Sequence, residues 1–169
     1  MGESRLAALA AMLVVVVALV MAGCGGGQET VESTGHTSCE ETSATWSGPE
    51  LASDVPGTSL DMTYDCDYAL SDERVTGAGP VVVRINMSLN GDTRVGQVSG
   101  TSVISNEGGT WEGSLSGTTT WSPAYPHHVH ALDAEYVGAG DYEGLRLLIH
   151  NEGTDSSRFT TTARIEPAE

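Results

Sequence analysis

Beyond residue 40 the sequence reads almost wholly as strands, with apolar and polar residues alternating at a period of two because successive side chains point to opposite faces. In TSLDMTYDCDYAL, Leu60, Met62, Tyr64, Cys66, Tyr68 and Leu70 share one face, and Asp61, Asp65 and Asp67 share the other. In VVVRINMSL, Val81, Val83, Ile85, Met87 and Leu89 oppose Val82, Arg84, Asn86 and Ser88. Asn90-Gly91-Asp92 then predicts a hairpin turn, since a type I′ turn needs positive φ. RVGQVSGTSVIS alternates poorly, and Gly96 and Gly100 predict a bulge or a bend at a barrel corner. After the turn Asn106-Glu107-Gly108-Gly109, TWEGSLSGTTTW puts Trp111, Leu115 and Trp121 on one face. HHVHALDAEYV, EGLRLLIH and SRFTTTARIE complete the series, with Phe159, Thr161, Ala163 and Ile165 inward in the last. No segment past residue 24 sustains a helical period.

Seven such strands, or eight with a short one near Ser43–Ser47, predict an all-β domain. The favoured form is an antiparallel up-and-down barrel of about eight strands, with a β-sandwich as the alternative. Closure removes exposed edges, and this chain has no lysine to guard one. The pieces SDERVTGAG, GGTWEGSLSG, GAGDYEGLRL and TARIEP resemble an allene-oxide-cyclase/dirigent-like barrel domain over roughly residues 58–167. The resemblance rests on glycines, aromatics and turns. It implies the barrel architecture and, for function, either a cyclase- or isomerase-type enzyme or a protein that guides coupling without conventional catalysis. No catalytic motif matches, so it carries over no active-site residue.

The N-terminus is different. MGESR precedes the uncharged run Leu6–Ala22, just under the roughly 18 residues at which a spanning helix becomes the default reading. A basic residue, an apolar stretch and small residues form a signal-peptide pattern. Met21-Ala22-Gly23-Cys24 resembles the bacterial lipobox, with Met21 where Leu is commoner. That resemblance implies cleavage before Cys24 and lipidation of its thiol; an uncleaved anchor is the alternative. The expected division is a signal peptide over 1–23, a lipidated cysteine and flexible linker over 24–38, and one barrel domain over 39–169. The linker's expected reach is on the order of 20 Å. The protein is thus expected outside the cytoplasm, with the membrane as its partner through the lipid on Cys24.

Composition narrows function. The net charge is −16, which opposes binding to nucleic acid or anionic headgroups. With Cys24 lipidated, Cys39 and Cys66 remain, and outside the cytoplasm an even pair predicts a disulfide. No cofactor motif stands out. Gly138-Ala139-Gly140-Asp141-Tyr142-Glu143-Gly144 lacks dinucleotide-loop spacing and reads as a turn. Asp65-Cys66-Asp67 reads as a solvated acidic face, and no GxSxG elbow is present. His128 and His130, about 7 Å apart on one strand face, are candidate Zn²⁺ or Cu²⁺ ligands, with His150 or Asp133 as a third; a solvated strand end is the plainer reading. Tyr64, Tyr68, Trp111, Trp121 and Phe159 are expected to line or plug the barrel. If they line a cavity, it suits one small apolar ligand. No residue is assigned a catalytic role, and a binding protein is favoured over an enzyme.

Overall fold

A computed structural model describes residues 30–47, 59–90, 93–122, 125–155 and 157–169. Eight strands follow one another: β1 (Val31–Ser47), β2 (Ser59–Leu70), β3 (Gly77–Asn90), β4 (Thr93–Asn106), β5 (Gly109–Ser122), β6 (Tyr125–Gly140), β7 (Leu145–Gly153) and β8 (Arg158–Pro167). Each pairs antiparallel with the next, and β8 pairs back onto β1 from Val31↔Ile165 to Ser38↔Arg158. The result is a closed up-and-down barrel rather than a sandwich. The predicted turn at 90–92 lies in part, at Gly91 and Asp92, outside the described residues.

The period-two pattern sets what goes inside. Val81, Val83, Ile85 and Met87 of β3 are buried, while Val82, Arg84, Asn86 and Ser88 face out. Among the described residues Asp, Glu, Arg, Ser and Thr occupy most outer positions, a polar surface rather than the apolar outer belt of a membrane-spanning barrel.

The first strand corrects the expected domain boundary. Residues 31–38, expected in the flexible linker, belong to β1, so the barrel begins at Val31 and not near Cys39 or Ser43. The inner positions there are Ser33, Gly35 and Thr37, none of which gives an apolar alternation. Ser33 and Thr37 are nonetheless buried, because their hydroxyls have partners. Ser33 Oγ accepts from Asp72 N–H at 3.0 Å, and Thr37 Oγ1 lies 2.8 Å from Thr161 Oγ1. A register shift between Glu41 and Ser43 then changes the strand's phase, so that Trp46 packs inward opposite Leu60.

The strand β4 carries no bulge. Its register with β3 and with β5 runs without a shift past Gly96 and Gly100. Gly100 instead permits close approach: a Cβ there would sit 2.1 Å from the carbonyl oxygen of Val82. Inner-face glycine lets a strand bend around a narrow barrel.

One end is plugged. Trp111 stacks on Tyr142 with centroids 4.8 Å apart, and its indole N–H donates to the Arg74 carbonyl at 2.7 Å. Gly140 and Gly144, both at positive φ, bound the turn that swings Tyr142 inward, so the GAGDYEG segment is a turn as expected. Asn106 ties the plug together. Its Oδ1 accepts from the Tyr142 hydroxyl at 2.6 Å, and its Nδ2 donates to the carbonyls of Arg74 and Thr76.

Cys39 and Cys66 face each other across β1 and β2, with Cα atoms 4.1 Å apart, and are joined as a disulfide. Closing a loop with a sequence separation of 27 stabilises the fold by about 3.5 kcal/mol in the chain-entropy model. A Cys39→Ala, Cys66→Ala double variant is therefore expected to lose about that much in urea unfolding. An unchanged midpoint and slope would contradict the assignment.

Candidate functional site

Between the plug and the opposite end, the inner faces of the strands enclose a cavity. The centre of a water-sized sphere can roam about 60 Å³ inside it. That is several times the roughly 10–15 Å³ that one water needs. Val81, Val83, Ile85, Val98, Leu115 and Ala134 form an apolar belt, and both disulfide cysteines belong to the wall. Among the described residues no aspartate, glutamate or arginine lines it, although the chain carries a net charge of −16.

Polar groups interrupt the belt in two places. Toward the plug, Tyr136 donates its hydroxyl to Ser102 Oγ at 3.1 Å, and Ser102 Oγ lies 3.2 Å from Tyr68 Oη. Burial raises the pKa of both phenols, and the bond to Ser102 only partly offsets it. Burial also pushes Tyr64 up to about 12, with Glu41 adding to the effect. All three rings stay protonated at neutral pH and act as neutral hydrogen-bonding groups, not bases. Toward the other end, Thr161 donates to Asn151 Oδ1 at 2.7 Å, and Thr37 contacts the same oxygen at 3.4 Å. His130, buried on β6, meets Phe159 edge-on at 5.8 Å.

These placements sort the residues expected from sequence. Tyr64, Tyr68 and Phe159 line the cavity. Trp111 does not; it belongs to the plug, because its indole N–H needs the Arg74 carbonyl that the β2–β3 connection supplies there. The side chains of Trp121 and His128 lie outside the described residues. Asp65 and Asp67 point to solvent, as their position beside buried Cys66 requires. Tyr136, Ser102, Thr37 and Asn151 went unnoticed in the sequence. Tyr136 shares the even-numbered face of β6 with His130, and that face was the signal available.

His150 and Asp133 do not join His130. They face each other on the outside of the barrel, in the row Ser116, Asp133, His150, Thr162 across four strands. One strand parity separates them from the interior. Neither can be its third metal ligand, and no cluster of three metal-ligating side chains occurs among the described residues. Asp133 Oδ1 lies 2.7 Å from His150 Nδ1, and Glu152 Oε1 lies 3.2 Å from Nε2. Comparison with protein-family models, with curated proteins and with solved structures yields no match for this chain.

The Asp133 hydrogen bond, then that of Glu152, raises the His150 pKa from its ordinary 6.5. A raised histidine stabilises the fold below its unfolded pKa, and that contribution is lost as pH rises through the folded value. The ring is partly exposed, so solvent screens the effect. An NMR titration should place the His150 midpoint above 6.5, with Asp133→Asn lowering it. A wild-type midpoint at or below 6.5 would contradict the paired geometry.

Proposed function

We propose that the protein is a lipid-anchored, extracytoplasmic binding module that holds one small ligand inside its barrel. The observation that carries this reading is a partly open, largely apolar cavity, with no aspartate, glutamate or arginine among its described lining residues, within a strongly acidic chain. A barrel of about eight strands is just wide enough either to fill with side chains or to hold one small ligand. Here space is left over. Apolar walls supply affinity through burial, and a few fixed polar groups supply orientation. Among the described lining residues no carboxylate is placed for acid–base work, which favours binding over cyclase or isomerase chemistry. Within the allene-oxide-cyclase/dirigent-like resemblance, this is the non-catalytic side.

The anchor reading gains a geometric consequence from where β1 starts. Seven peptide steps separate Cys24 from Val31, at most about 25 Å of extended chain. β1 enters at the plugged end, so an acylated Cys24 keeps that end near the bilayer. The end carrying His130, Asn151 and Phe159 is then directed away from it. Two acyl chains suffice for stable attachment, and the cross-strand disulfide suits an oxidising compartment.

Native mass spectrometry of the full mature chain, residues 24–169 with Cys24→Ser to omit the lipid, tests the binding reading. A chain secreted and purified without chelator should retain a small extra mass that disappears on denaturation. A bare chain that takes up no small molecule on incubation with a cell extract would overturn it.

A further inference from the structure

The barrel wall is not equally tall all round. At the end away from the plug, β6 pairs with β7 only as far as His130↔Gly153. On the other flank β1 pairs with β8 only as far as Ser38↔Arg158, with one further bond from the Cys39 N–H to the Ser157 carbonyl at 2.8 Å. Among the described residues, 125–129 of β6 and 40–47 of β1 then have a strand partner on one side alone, β5 and β2 respectively. Ordinary barrel stagger would raise one flank of the β7–β8 hairpin and lower the other. Here both flanks overtop it. The short hairpin therefore leaves a notch, floored by Gly153, Asp155 and Arg158. Its width is that of two missing strands, about 14 Å between β6 and β1.

The free edge of β1 has a definite orientation. In an antiparallel ladder, both backbone groups of every second residue face the same neighbour. Cys39 faces the β8 side, so Glu41 does too; past the register shift so do Ala44 and Trp46, opposite Met62 and Leu60. Their N–H and C=O groups point across the notch. Natural edges are guarded by lysine, proline or extreme shortness, yet residues 40–47 hold neither lysine nor proline. The partly buried Trp46 supplies an apolar side chain along this edge. Charge decides what is admitted. Glu40 and Glu41 are exposed on the edge and Asp155 on the floor, against Arg158. A second copy of this chain, with its own net charge of −16, would be repelled. We infer that the notch is a docking edge for an extended, basic segment of a partner protein, which adds to β1 as a further strand. The docking is independent of whether the cavity holds a ligand.

Three eight-residue peptides test it on residues 24–169 carrying Cys24→Ser. One alternates lysine with valine, one alternates glutamate with valine, and one is the lysine–valine peptide methylated on every backbone nitrogen. The readout is amide hydrogen exchange by NMR. In the free chain the amides of Glu41, Ala44 and Trp46 should exchange fast, and saturation with the lysine–valine peptide should slow them at least about tenfold. The glutamate peptide should not bind. The methylated peptide keeps the charge but cannot donate, and should give no protection at those three amides. Glu41→Gln should weaken the lysine–valine peptide about threefold, as the loss of one exposed ion pair does. The comparison of the three peptides on the unsubstituted edge stands should that variant misfold. Equal protection by the methylated peptide, or protection spread over other strands, would reduce the effect to net charge and overturn the inference. So would slow exchange at those amides in the free chain; if that chain also sediments as a dimer, the occupant is a second copy.

Discussion

The pairing of β8 with β1 is the constraint on which everything else depends. Without it the sheet would end in two open edges whose backbone donors and acceptors invite other chains. With it, every strand has two neighbours, and the inner face becomes an enclosed volume. On the β1 side the pairing is made mostly by residues of low hydrophobicity, Glu32, Ser33, Thr34, Gly35, His36 and Thr37, while β8 sets the apolar Phe159, Ala163 and Ile165 opposite Thr37, Ser33 and Val31. Backbone hydrogen bonds and a few buried hydroxyl contacts from β1 meet the apolar inner face of β8 to close this barrel. Those same contacts set one wall of the cavity, since Thr37 and Thr161 are what fix the Asn151 carbonyl.

Closure also separates charge from space. Once residues alternate strictly between lumen and solvent, a single strand can carry Asp61, Asp65 and Asp67 outside and Tyr64, Cys66 and Tyr68 inside with no conflict. On the outside several arginines pair with carboxylates. Arg84 bonds Asp61 at 2.7 and 2.9 Å, and Glu166 is shared between Arg146 and Arg164. Such exposed pairs contribute little to stability. Their consequence is an acidic shell around a neutral interior, with a plug of Trp111, Tyr142 and Asn106 at the end where the chain enters.

Much of this was legible in the sequence, and the parts that were not share a cause. Strands β2, β3 and β8 announce themselves because their inner faces are apolar: Leu60 to Tyr68, Val81 to Met87, Phe159 to Ile165. The first half of β1 is silent because Ser33, Gly35 and Thr37 are inner-facing yet polar or small, and only their long-range partners reveal that burial is tolerated. Gly96 and Gly100 left a bulge and a bend open; the unshifted register excludes the bulge, and Gly100 serves a close backbone approach, which asks for glycine just as a bulge does. The disulfide was legible from the even pair Cys39 and Cys66, on the expectation of an oxidising compartment. The polar groups of the cavity were not, because Ser102, Tyr136 and Asn151 lie on different strands and nothing local marks their convergence. Likewise the alternation that puts His130 inside puts Asp133 outside, a separation the sequence holds but spacing alone does not display.

The account stands or falls on whether the barrel interior holds accessible apolar space. A crystal structure of residues 24–169 with Cys24→Ser, determined under xenon pressure, addresses this directly, because xenon occupies apolar cavities. The account predicts a xenon atom inside the barrel, within contact distance of Val83, Leu115 and Phe159. An interior filled by the side chains themselves, with xenon absent from the lumen, would contradict it.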